Sequence, residues 1–349
     1  MDGRLSVLSM ALAKIKHHGI VIDVSPKGYD EGVASFGSIF VDSDDLRTRY
    51  LFYTGAQNDK MIKSSIGLAL TKNGPEFGKV SCEPLFASTP GSFCSVQAIT
   101  PVVTRIRNRF FMILAGKPSL KSSRRIGIAH ADDPKGPWNV IGELIKPEHL
   151  WEGNGIDNGP SVAKLDDETF LLYYSSITSP KNYDVSTILR RYPVRRIGVL
   201  KVRVRGTSLS NIEVMRYNGN PLRHLNGPKG SWNESVFCPG YIKLGGVNYL
   251  FPTGSTYSVG YPYRQYIGLA TSSTPYFSEA DTHLTKLIDG PKEKTEILPD
   301  SKSEIALDTP CPYLDQEKQK LHLYYSVADR ADEKWKIALT TYDLHSEIG

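Results

Sequence analysis

One phrase recurs along this chain and limits what it can fold into. It reads Ile66-Gly67-Leu68-Ala69, Ile126-Gly127-Ile128-Ala129, Ile197-Gly198-Val199-Leu200, Ile267-Gly268-Leu269-Ala270 and Ile337-Ala338-Leu339-Thr340. The leading isoleucines are separated by 60, 71, 70 and 70 residues, so five units fill the 349-residue chain. A fixed period of this length marks a repeat architecture. Length alone would allow two or three unrelated domains. The repeat argues for one.

Each copy has the same surroundings. Upstream lies a short apolar, aromatic run: Tyr50–Tyr53, Phe110–Leu114, Phe170–Tyr174, Tyr249–Phe251 and Leu321–Tyr325. Continuous apolar runs bounded by turn residues read as strands buried on both faces. Before each run comes another short strand, usually opened by proline or glycine, as at Gly37, Pro101, Pro160, Pro239 and Pro312. Proline is tolerated at a strand's first residue, where no ladder bond is lost. After three copies come a turn and an aromatic, Phe77, Trp138 and Phe277. A fourth strand can follow, as at Lys79–Phe86 and Trp138–Ile145.

The unit is therefore about four antiparallel strands, one blade of a propeller, and radial repetition of such sheets leaves few exposed edges. The expectation is an all-β, five-bladed β-propeller with four-stranded antiparallel blades. A single domain would span 1–349, with blades near 30–90, 91–150, 151–215, 230–295 and 300–345. The last blade lacks an outer strand. Residues 19–24 are expected to supply it and close the ring. Residues 5–16 are expected to form a short amphipathic helix outside it.

Composition excludes several classes. Hydrophobic residues at 40% and charged residues at 23% describe a globular chain with a full core. No run of 18 apolar residues exists, so no transmembrane helix is expected. A net charge of +5 is mild and does not argue for nucleic acid. The N-terminal apolar stretch is too short and weak for a clear signal peptide, so a cytoplasmic location is expected. The four cysteines form no CxxC pair, and no histidine has ligand spacing. No metal or cofactor is expected. Arg190, Arg191, Arg195 and Arg196 cluster around Tyr192-Pro193, either as a charged edge or as a clamp for a phosphate, sulfate or uronate.

Most blade starts carry an acidic residue: Asp30 (with Glu31), Asp157, Glu234 and Asp308, with Gln97 and Thr100 in the second blade. Any one could simply cap a turn. Together they would converge at one mouth of the channel, where like charges raise one another's pKa. Glycoside cleavage needs such opposed carboxylates. Trp151 and Trp232 lie within six residues of these acids and are candidate sugar platforms, whereas Trp138 follows a repeated turn and reads as packing.

These phrases resemble the five-bladed propeller glycoside hydrolases: the family 43 arabinanase and xylosidase group, the fructan hydrolases and the family 130 mannoside phosphorylases. The resemblance covers nearly the whole chain. It implies an inverting hydrolase with three carboxylates. Gly155-Ile156-Asp157-Asn158-Gly159-Pro160 is similar to the Ala-Ile-Asp-Pro phrase, which makes Asp157 the residue that tunes the acid. Glu234, ahead of Pro239, matches the acid, and Asp30 is the nearest match for the base. In the family, Asp stands directly before proline and Glu two residues before it. Here two residues part Asp157 from Pro160, Glu234 lies five before Pro239, and Phe36-Gly37 stands where a first Asp-Pro belongs. The expected site is thus Asp30, Asp157 and Glu234, with Trp151, Trp232, Gln97, Asp308 and Arg196 on a carbohydrate substrate. Phosphorolysis or glycosyl transfer, and a non-catalytic sugar-binding propeller, are the alternatives.

Overall fold

The structure, a computed structural model, describes residues 14–58, 60–72, 74–177, 194–258, 264–288, 304–329, 332 and 334–344. These residues contain twenty strands and no α-helix. One antiparallel set is β2 (Val33–Asp42), β3 (Asp45–Ala56), β4 (Ser65–Thr71) and β5 (Gly78–Lys79). The next is β6 (Gln97–Ile106), β7 (Arg109–Lys117), β8 (Arg125–Ala131) and β9 (Asn139–Ile145). Then come β10 (Ile156–Lys164), β11 (Thr169–Ser176), β12 (Ile197–Val204) and β13 (Ile212–Arg216), followed by β14 (Ser235–Leu244), β15 (Val247–Ser255), β16 (Gln265–Ser272) and β17 (His283–Ile288). The last set is β18 (Glu304–Asp315), β19 (Lys320–Asp329) and β20 (Trp335–Asp343), with β1 (Lys14–Ile22) antiparallel to β20. A single parallel pair, Val33 with Trp335, joins this set to β2–β5.

The helix expected over 5–16 falls mostly outside the described residues, and residues 14–16 begin β1. The apolar stretch there alternates with lysine and histidine, which suits an edge strand better than a helix face. The strand expected over Lys79–Phe86 is also shorter. β5 covers only Gly78–Lys79, and Phe86 forms an isolated bridge to Ile66.

The prolines do not open their strands. In every set the first strand bulges where a Pro or Gly stands, between Ser35 and Ser38, Ile99 and Val102, Asn158 and Val162, Phe237 and Gly240, and Asp308 and Cys311. A bulge leaves one residue without a ladder partner, so a proline there costs no bond. The residue before it takes a left-handed conformation in four sets: Phe36 (φ 49), Thr100 (φ 50), Cys238 (φ 45) and Thr309 (φ 49). Such a conformation costs a side-chain-bearing residue roughly 1–2 kcal/mol.

What holds the bulges is a contact from the neighbouring set. The freed N–H of Thr100 donates to Thr54 Oγ1 on β3 at 2.9 Å, that of Cys238 to Ser175 Oγ on β11 at 3.2 Å, and that of Phe36 to Ser326 Oγ on β19 at 2.9 Å. Aromatics repeat the same linkage. Trp138 meets Phe52 edge-on at 6.2 Å, Phe277 meets Tyr173 at 6.0 Å, and Phe77 meets Tyr324 at 5.7 Å. Each ring after the repeated phrase packs on the middle strand of the adjoining set, so the core lies between sheets.

The repeated glycine has a cause of its own. A Cβ on Gly198 would lie 2.6 Å from Trp151 Cη2, and one on Gly268 would lie 2.7 Å from Trp232 Cη2. Gly127 is covered in the same way by Phe93, and Gly67 by Tyr29 and Tyr53. In these four sets an aromatic from the segment leading into the first strand packs on the third strand. Only a residue without a side chain leaves room for it.

Ser326→Ala orphans the buried Phe36 N–H. It should lower unfolding stability by about 1–3 kcal/mol in urea titration, whereas a replacement at an exposed serine such as Ser43 should change little. An unchanged midpoint would show that this contact does not hold the bulge.

Candidate active site

Antiparallel pairing brings the starts of the first and third strands and the end of the second to one end of each set. At that end the side chains of several sets meet. Gln97, the first residue of β6, is buried and accepts a hydrogen bond from Arg124 Nε at 3.0 Å. Arg124 stands just before β8, and its Nη1 donates to both oxygens of Asp157, at 2.8 and 2.7 Å. Arg195 Nη2 lies 3.7 Å from the same carboxylate. The Arg195 guanidinium stacks 3.9 Å from the centre of the Phe237 ring and donates to Ser176 O at 2.7 Å and Ser175 Oγ at 3.4 Å. Cys238 Sγ lies 3.6 Å from Arg195 Nη2.

Asp308 completes the cluster. Its Oδ1 accepts from the Thr309 N–H at 2.6 Å, from Thr309 Oγ1 at 3.2 Å and from Thr253 Oγ1 at 3.3 Å. Here the carboxylate occupies the place that a neighbouring hydroxyl takes at three other bulges. Burial raises the Asp308 pKa, and the nearby Arg195 charge only partly opposes this. Burial also pushes the Cys238 thiol up to about 12, with the Asp308 charge adding to the rise. Cys238 is thus a neutral thiol rather than a nucleophile. Among the described residues no three metal-ligating side chains gather.

The expected site residues divide. Asp157, Gln97 and Asp308 belong to this cluster. Asp30 is buried elsewhere, on the β3–β5 side of its own set. Lys79 Nζ lies 2.6 Å from its Oδ2, and Tyr53 Oη donates to the same oxygen at 3.0 Å. Its charge is therefore compensated inside one set. Glu234 is buried too, and its Oε2 accepts backbone N–H groups from Gly230, Tyr257 and Ser258 at 3.1–3.2 Å. Ser258 Oγ donates to Oε1 at 2.8 Å. These donors tie the loop before β14 to the loop after β15.

Trp151 packs on Gly198 and Tyr174 and Trp232 on Gly268, a structural role for both indoles. Of the two adjacent arginines, Arg195 turns into the cluster. The Arg196 backbone pairs with Ser176, its N–H donating to Ser176 Oγ at 3.0 Å. Arg124 and Lys117 went unnoticed because no repeated phrase marks them. Asp308 did carry a signal: it stands two residues before Pro310, the spacing that the family resemblance expects of a catalytic Glu. At the bulges where that resemblance places its three acids, this chain has Phe36, Gly159 and Phe237.

A surface cleft of about 690 Å³ lies at the opposite end, lined among others by Arg49, Tyr313, Asp315 and Lys318. Size alone would favour it. Its buried charges, however, are spent on one another, with Arg49 Nη2 3.0 Å from Asp315 Oδ2. It offers no opposed reacting groups.

Solved structures share this architecture. One described as a glycoside hydrolase superposes with a TM-score of 0.64 at 13% identity, over 99% of this chain and 97% of the other. A Bacillus subtilis arabinanase gives 0.56 at 12% identity, over 90% and 95%. A family 117 glycoside hydrolase from Zobellia galactanivorans gives 0.60 at 11% identity, over 96% and 92%. The fold is that of the β-propeller glycoside hydrolases. At such identities the likeness is one of fold. No protein-family model and no curated protein matches the sequence.

Two stability changes test the charges. Lys79→Met leaves Asp30 buried without its counter-ion and should cost roughly 3 kcal/mol in urea unfolding. Asp308→Asn keeps an acceptor at Oδ1 and removes a charge that burial disfavours. A raised folded-state pKa stabilises below the unfolded value and is a cost above it. The variant should therefore be at least as stable as wild type at pH 7. Its advantage should shrink as pH falls through the ordinary carboxylate range. A variant clearly weaker at pH 7 would contradict this.

Proposed function

We propose that the protein is a glycoside hydrolase with five blades around an axis, working at the end where Asp157 and Asp308 converge. The bulge contacts run from the first set to the second, the third to the fourth, and the last back to the first. Thr253 and Asp308 make the step from fourth to last. This supports a closed ring. The eight-stranded sheet is then two blades joined by one parallel pair.

One observation carries the chemistry: a buried guanidinium, Arg195, lies 3.7 Å from Asp157 and its charge also acts on Asp308, a carboxylate from another set. Asp157 is ion-paired twice over, to Arg124 and Arg195. Asp308 is raised by burial. A carboxylate raised by burial is suited to the acid's part. In this reading Asp308 protonates the leaving oxygen and Asp157 is the base that activates water, with inversion. Glu234 and Asp30, the acid and base that the sequence suggests, hold loops in place. Polysaccharides such as arabinan, on which one fold neighbour is named to act, belong in the substrate panel.

The test is a screen of aryl glycosides and oligosaccharides, with and without phosphate, on wild type and four variants. Asp308→Asn and Asp157→Asn should each lower kcat by about 10²–10⁴-fold while the protein stays folded. Glu234→Gln and Asp30→Asn should act chiefly through stability. If folded Glu234→Gln is inactive while Asp308→Asn turns over normally, the acid is Glu234. Turnover only with phosphate would mean phosphorolysis. Sugar binding without any turnover would mean a binding propeller. Product configuration, read by NMR, tests inversion.

A further inference from the structure

Two basic side chains at this end keep hydrogen-bonding capacity that the described residues do not use. Among the described residues Lys117, Arg124 and Arg195 face two carboxylates, Asp157 and Asp308. Arg195 is largely buried and lies 3.7 Å from Asp157. Arg124 uses Nε on Gln97 and Nη1 on Asp157, and its Nη2 has no partner among the described residues. Lys117, the last residue of β7, has no ion pair or side-chain hydrogen bond among them. It is only partly exposed, and burial together with the Arg124 charge lowers its pKa, with Asp157 pulling the other way.

The backbone that carries both cations is fixed in place. The Lys117 carbonyl accepts the Val96 N–H at 2.9 Å, and Lys117 faces Gln97 in the β6–β7 register. The Arg124 carbonyl accepts the Ile156 N–H at 3.1 Å, which ties it to the start of β10. Holding two cations together costs free energy that an anion would recover. A fixed backbone lowers the ordering cost a ligand meets there to that of the side chains.

We propose that Lys117 and the Nη2 group of Arg124 receive an oxyanion carried by the sugar, a carboxylate or a sulfate ester, so that the substrate is an acidic glycan rather than a neutral one. This rests on the axial end being the sugar site. An acidic unit lying on Lys117 and Arg124 is one guanidinium away from Asp157, which sets the register of the bond to be cleaved. Inorganic phosphate presents similar oxygens but is not part of a sugar, and the two sources separate in the same experiment.

Binding is measured by calorimetry with matched pairs: a uronate oligosaccharide and its neutral counterpart, a sulfated and an unsulfated one, and inorganic phosphate alone. Wild type should prefer an acidic member by about tenfold or more, the worth of one charge-assisted hydrogen bond. The preference should weaken between about 50 and 300 mM salt. Lys117→Met should lose it and bind the neutral counterpart as before, and Lys117→Arg should keep it. Equal affinity for acidic and neutral members would overturn the proposal. So would a preference that survives Lys117→Met, or binding of phosphate with no acidic sugar bound. Because binding is read, the outcomes stay separate from turnover. Acidic binding without cleavage sinks the catalytic reading alone, and cleavage of neutral glycans with no acidic preference sinks this one alone.

Discussion

The bulges in the first strands, three of them held by a hydroxyl of the neighbouring set, are the constraint on which the rest depends. A strand that simply continued its ladder would keep its N–H groups within its own sheet. By bulging, it turns one N–H outward, and that group must find a partner or cost about 1–3 kcal/mol. The partner is a Ser or Thr on the neighbouring set, at Thr54, Ser175 and Ser326. At these three places one sheet fixes its neighbour near the shared end. The same bulges decide which side chains face that end.

The site is a local departure from this device. In the last set the bulge N–H is satisfied by Asp308, the carboxylate next to it in sequence, and the neighbouring Thr253 donates to that carboxylate. A charge has been placed where a neutral hydroxyl would be enough for folding. The stabilising compensation is Arg195, itself desolvated against Phe237. An arrangement that burial penalises and structure does not require is a reason to look for chemistry there.

Much of the fold was legible because its causes are local and repeated. The period, the apolar second strands and the turn aromatics each arise from one blade's needs, so they recur in the sequence. The glycine of the phrase was visible but its reason was not, since Trp151 and Trp232 reach it from the preceding segment. That is why the packing role of these indoles left no mark in the sequence. The site was legible only in part. Asp157 and Asp308 sit at repeated positions, whereas Lys117 and Arg124 act through contacts between sets, which leave no periodic trace. Asp30 looked like its counterparts because nothing in its neighbourhood reveals that Lys79, on a two-residue strand, will neutralise it. Arg195 and Arg196 are adjacent, and sequence does not say which one turns inward.

The pairing of β1 with β20 bears on how the chain reaches this state. His17 Nδ1 lies 3.1 Å from Thr340 Oγ1 across 323 residues of sequence. During synthesis β1 emerges long before its partner exists. Until then it is an unpaired strand edge, a template for joining other chains. Its sequence, Lys14-Ile15-Lys16-His17-His18, interrupts the apolar pattern with charged and polar residues. Those residues act as gatekeepers during the wait. The same long separation makes this pairing slow to form relative to the hairpins within each set.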